Sequence, residues 1–160
     1  MGKPPYDQRT DIERLRSQWT KLTGLHNRNE ASAAIVRCAT AAEIAANFAI
    51  RTEFSRRTQF DARVVDGFLI WANGLDGKMN RLILPICFNG VKSAEFKRLQ
   101  TAAKRIHEVR NEIVHRGVFS DPEDAEFIVG QSREFIETLV HRYDDTFRLP
   151  KASSRTRSRK

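Results

Sequence analysis

The stretch from Ala33 to Ile50 constrains this chain most. Ala33, Ile35, Val36, Ala39, Ala42, Ile44, Ala46, Phe48 and Ile50 would leave a helix here apolar almost all round. Alanine is the strongest helix former, and a helix apolar on every side must be covered on every side. The segment is therefore predicted as the central member of a helical bundle, with Asn29 as its N-cap. Glu43, Asn47 and Arg51 interrupt the apolar surface at i, i+4 and i+8, which places them on a single polar stripe.

The flanking sequence supplies partners for that helix. Thr10-Asp11-Ile12-Glu13 has capping-box spacing, and Ile12, Leu15, Trp19 and Leu22 follow at helical intervals up to Gly24, a suitable stop. Asp61 to Ala72 repeats Val64, Val65, Phe68, Leu69 and Ala72, ahead of turn signals at Asn73-Gly74 and Asp76-Gly77. Met79 to Leu84 suggests a short helical stretch before Pro85, and the conformation of residues 73–91 is otherwise open. From Ser93, the residues Phe96, Leu99, Ala103, Ile106, Val109, Ile113 and Val114 mark a long helix that Gly117 terminates. Ser120-Asp121-Pro122-Glu123 then opens a last helix through Ile128, Phe135, Ile136, Leu139, Val140 and Tyr143. The sequence contains no strand-like alternation and no internal repeat. The expectation is an all-α, up-and-down helical bundle over residues 1–148, followed by a disordered basic tail over 149–160.

Charge separates the same two parts. The 160-residue chain has 28 basic and 20 acidic residues, a net charge of +8. Lys151, Arg155, Arg157, Arg159 and Lys160 contribute five of the basic groups, leaving 23 against 20, or +3, for residues 1–150. An anionic partner such as RNA is the expected consequence. No uninterrupted apolar run reaches the roughly 18 residues of a membrane span, and the first residues lack a signal-peptide core. A cytoplasmic protein without a membrane role is expected. Cys38 and Cys87 stand apart from any Cys or His cluster and read as small buried hydrophobes.

Chemistry concentrates near the end of the helix that starts at Ser93, in Val109-Arg110-Asn111-Glu112-Ile113-Val114-His115-Arg116-Gly117. RNA cleavage without metal needs a group to take the 2′-hydroxyl proton, a group to protonate the leaving 5′-oxygen, and a fixed cation for the phosphate. His115 suits either proton role near neutrality, and Arg110 offers a planar, permanently charged fork matched to phosphate oxygens. Asn111, one turn before His115, is placed to orient the imidazole or a phosphate oxygen. Two plainer roles compete: Arg110 as a core arginine held by Glu43, and His115 as a charge at a helix C-terminus. Lys97, Lys104, Asn111 and His115 fall on one helix face, a candidate phosphate track extended by Arg116 and the tail cations. His107-Glu108-x-x-Asn111 lacks the second histidine of a zinc-protease helix, and Gly74-Leu75-Asp76-Gly77-Lys78 is too short for a phosphate-binding loop.

Arg110-Asn111-x-x-x-His115 resembles the signature of HEPN (higher eukaryotes and prokaryotes nucleotide-binding) domains, an arginine and a polar residue followed by a histidine. The resemblance covers roughly Asn29 to Phe147. It implies a HEPN-like bundle and a metal-independent endoribonuclease without cofactor, with Arg110, Asn111 and His115 catalytic and Glu43 and Asn47 supporting. It also implies a homodimer that brings two motifs to one cleft, a role as toxin or defence effector, and an antitoxin protein as partner. The tyrosine that many of the family's toxins carry two positions after the histidine is replaced here by Gly117. A non-catalytic HEPN-like module for dimerisation, nucleic-acid or protein binding is the alternative that the same resemblance allows.

Overall fold

The computed structural model describes residues 2–151, and these residues are all-helical. A short 3-10 turn at Tyr6–Gln8 leads into α1 (Asp11–Asn27) and α2 (Ala31–Arg57). There follow α3 (Ala62–Trp71), α4 (Gly74–Lys78), a π-helix (Met79–Cys87), α5 (Ala94–Arg116) and α6 (Pro122–His141). As its composition requires, α2 is the hub: α1, α5, α6 and the π-helix all pack on it. Ala34, Ala41, Ala42, Ala45, Ala46 and Ala49 are buried along its length, and small side chains there let neighbouring helices approach closely. Trp19, Phe96, Phe135 and Phe147 fill the space between the helices. Burying a large apolar side chain of this kind stabilises the fold by roughly 1.5–3 kcal/mol.

Length and apolar composition alone would also allow α2 to cross a bilayer, contrary to the expectation that no segment qualifies. Isolated polar residues had broken the apolar run in the sequence, but averaging along the helix restores it. In this fold one side of α2 is buried against other helices, while Ala33 is exposed and Val36, Ile44 and Phe48 are half-buried.

Local signals account for most helix ends. The Thr10 hydroxyl accepts from the Glu13 backbone N–H and the Glu13 carboxylate accepts from the Thr10 N–H, a complete capping box. Ser93 caps α5 through the Phe96 N–H, Asp121 caps α6 through the Asp124 N–H, and Gly117 closes α5 in the left-handed conformation at φ 65°. At two positions the expectation is corrected. Gly24 does not stop α1, which continues to Asn27, because the left-handed residue that turns the chain is Asn29 at φ 60°. Asn29 therefore does not cap α2, whose N-cap is Glu30, without a side-chain bond.

Residues 73–91 are ordered helix for most of their length. The π-helix runs through Pro85 instead of ending before it. A proline ring collides with the carbonyl four residues back in an α-helix, and the wider i→i+5 coil relieves that crowding.

The packed unit also extends past residue 148. Leu149 is buried, its N–H donates to Glu137, and its carbonyl accepts from Arg133. The Trp19 indole N–H donates to the Pro150 carbonyl at 2.8 Å, tying residue 150 back to α1. Arg155, Arg157, Arg159 and Lys160 of the expected tail lie outside the described residues. Cys38 and Cys87 are buried and unpaired. Burial pushes their thiols up to about 12 and about 11, so neither is a nucleophile near neutrality.

Candidate functional site

The last three turns of α5 face α2 and the start of α4 across a cleft of about 390 Å³. His107, Arg110, Asn111 and His115 line it from α5, and Ala39, Thr40 and Glu43 from α2. Asn73, Gly74 and Leu75 close the third side. The structure thus brings the motif residues Arg110, Asn111 and His115 together with Glu43 in one chain. On an ideal helix Arg110 and His115 point roughly 140° apart. The Arg110 guanidinium instead bonds to Asn111, whose Oδ1 accepts from Arg110 Nη1 at 3.1 Å.

Two expected contacts are replaced by others, and one expected supporting residue stands away from the cleft. Glu43 does not hold Arg110: its Oε1 accepts from Lys78 Nζ at 2.7 Å. The Lys78 side chain is 5% exposed, whereas that of Glu43 is 38% exposed, so a buried ammonium fastens a carboxylate that still faces the cleft. Secondly, Asn111 does not orient His115. Its Nδ2 lies 2.9 Å from His107 Nε2, one turn towards the N-terminus. Side chains on a helix tilt towards the N-terminus, so Asn111 lies over the turn that carries His107. Thirdly, Asn47 does not border the cleft, and its Oδ1 is buried without a hydrogen-bond partner.

His115 is exposed in the last turn of α5 and makes no hydrogen bond or ion pair among the described residues. The helix end is closed instead by the Gly117 and Val118 N–H groups, both donating to the Glu112 carbonyl. The imidazole is therefore not consumed in capping.

The proposed phosphate track is dispersed. Lys97 borders a separate groove with Glu95, Gln131 and Glu134, about 21 Å along the helix from Asn111 by the rise per residue. Lys104 approaches Glu108 at 4.0 Å, which offsets its charge. Arg116 is exposed beside His115, and Lys151 is exposed where the described chain ends.

His107 in the cleft and Lys78 behind Glu43 carried no assigned role in the sequence. His107 is spaced i−4 from Asn111, the interval at which side chains meet on a helix, and that spacing was the available signal. Lys78 gave none, because its partner Glu43 is 35 residues away. Gly74 sits at φ 73° beside His107, a backbone conformation that favours glycine. Among the described residues, no three His, Cys, Asp or Glu side chains are grouped to hold a metal ion. Comparison with family models, curated proteins and solved structures finds no match to this chain.

Proposed function

We propose that the protein is a metal-independent endoribonuclease of HEPN type that works as a homodimer. The observation that carries this reading is the convergence of Arg110, Asn111, His107, His115 and Glu43 on one cleft. Arg110 takes the scissile phosphate. Its guanidinium pairs with no carboxylate within the described residues, so its charge is available to the phosphate oxygens.

In the proposed step a base removes the ribose 2′-hydroxyl proton, and the 2′-oxygen attacks the adjacent phosphorus. The bond to the 5′-oxygen breaks, and that oxygen leaves with a proton from an acid. The products are a 2′,3′-cyclic phosphate and a 5′-hydroxyl. His115 is the cleft imidazole with both ring nitrogens unengaged, so one proton role falls to it. The second role falls to His115 of a second copy. Val114, Val118, Phe119 and Phe127 are exposed at the same end of α5 and α6, an apolar area that a second copy would cover.

The purified full chain, incubated with RNA in EDTA, should yield fragments with these two ends. Cleavage that appears only after a divalent ion is added would overturn the mechanism. A non-catalytic binding module is the second reading, favoured by Phe119, which is 91% exposed. It requires the His115→Ala chain to retain every measurable function of the wild type.

A further inference from the structure

The network behind Arg110 fixes more than its own geometry. Arginine carries only donors, so the Asn111 atom facing Arg110 must be the amide oxygen, at 3.1 Å. The amide nitrogen must then face His107 Nε2, at 2.9 Å. An N–H facing that ring nitrogen requires it to accept, so the ring proton of His107 sits on Nδ1. Each member of the series has one permitted orientation, and the series ends on the guanidinium.

Without the imidazole acceptor, the Asn111 amide nitrogen loses the partner that holds it in place. Arg110 has no other hydrogen bond or ion pair among the described residues, so Asn111 is its one fixed hold. The hold is also chemically particular. An amide oxygen positions a guanidinium without cancelling its charge, whereas a carboxylate would compete with an incoming anion. The cleft does contain a carboxylate, Glu43, but Lys78 engages it at 2.7 Å. Arg110 is therefore aimed by an amide, with no carboxylate to offset its charge.

We propose that His107 is a positioning residue of a phosphodiester-binding site, acting through Asn111 to hold the Arg110 guanidinium ready for phosphate. This rests on the reading of the cleft as a nucleic-acid site but not on cleavage, and the two are separable. His107 does not serve as the free base of the reaction in this arrangement, since its one acceptor lone pair is engaged by Asn111. That leaves His115 as the imidazole with an open nitrogen.

The test uses the full chain and a 2′-deoxy oligonucleotide, which offers phosphodiesters but no 2′-hydroxyl to react. Binding is measured by calorimetry at fixed salt for the wild type, His107→Phe, His107→Gln, Arg110→Ala and the double variant that combines His107→Phe with Arg110→Ala. His107→Phe is expected to weaken binding about tenfold, and His107→Gln, which keeps an acceptor, to stay within about twofold of wild type. Arg110→Ala should then cost little more in the His107→Phe background, because the guanidinium is already unaimed. Nitrogen-15 NMR of the wild-type histidines should find the proton of His107 on Nδ1. A proton on Nε2 overturns the proposal however the variants fold. Wild-type affinity in His107→Phe, a full additive loss in the double variant, or no binding by the wild type overturns it too. If the coupling is found but the ribose form of the oligonucleotide is not cut, the ribonuclease reading fails and the positioning role stands. If RNA is cut equally well by wild type and His107→Phe, the ribonuclease reading stands and the positioning role fails.

Discussion

The two halves of α5 are built from the same helix and serve opposite ends. In the first half Phe96, Leu99, Ala102, Ala103 and Ile106 are buried against α2 and α6, and the helix is fastened by packing. In the second half no residue from His107 onward is fully buried, and the polar groups point into a cleft or into solvent. The first half carries stability and the second is left available for chemistry. A helix anchored at one end can hold polar groups in register without burying them, because its backbone hydrogen bonds transmit the geometry from one turn to the next.

Substitutions can break or sharpen this contrast. Phe96→Ala should remove about 3–5 kcal/mol of stability, measured by urea denaturation, because the ring is fully buried and leaves a cavity. A loss below about 1 kcal/mol would mean that the first half is not the anchor. Lys78→Ala should cost about 2 kcal/mol by the same measurement. It strands the Glu43 carboxylate, but water reaches that carboxylate and limits the penalty. If stability is unchanged, the pair is not what holds Glu43 at the cleft.

His115→Ala and Arg110→Ala should each cost less than about 1 kcal/mol, since neither ion-pairs among the described residues, yet each should lower cleavage by about 10²–10⁴-fold. A drop in melting temperature as large as that of Phe96→Ala would erase the distinction between the two halves. Mixing wild-type and His115→Ala chains after subunit exchange then asks where the second proton group resides. Activity should fall more steeply than the mutant fraction if two subunits share a site. A linear fall assigns the second role to the same chain, where Glu43 is the remaining carboxylate at the cleft. The smallest effect belongs to the tail: deleting residues 151–160 removes five charges. It should reduce the slope of log affinity against log salt by at most about 3.5 for single-stranded RNA, with unchanged products. New products would mean that the tail helps select the scissile bond.

The readable parts of the chain were those written over one helical turn. Thr10 with Glu13, Ser93 with Phe96, and the left-handed Gly117 each satisfy groups within a few residues, so their meaning survives without the fold. Asn29 was ambiguous because asparagine suits both an N-cap and a left-handed turn, and the choice depends on how α1 and α2 pack. The tie between Glu43 and Lys78 was hidden by its sequence separation, and by the Gly74 and Gly77 context that made Lys78 look like part of a loop. Leu149 gave no periodicity, being a single apolar residue, yet the fold seats it beside Arg133 and Glu137. The motif helix was legible to the residue. The direction in which Asn111 reaches was not, although side-chain tilt towards the N-terminus favours His107 over His115.

The bond from Trp19 to Pro150 gives the molecule an optical reporter. Trp19 is 1% exposed, while the second tryptophan, Trp71, is 57% exposed with Arg81 stacked over its ring. Dissolved iodide should quench the emission of Trp71 and leave that of Trp19, whose indole is shielded and donates to a fixed carbonyl. The unquenched emission then follows whether Pro150 is seated on α1. Release of that residue should shift it to longer wavelength while far-ultraviolet ellipticity still registers intact helices, so undocking of Pro150 and global unfolding are read separately in one cuvette.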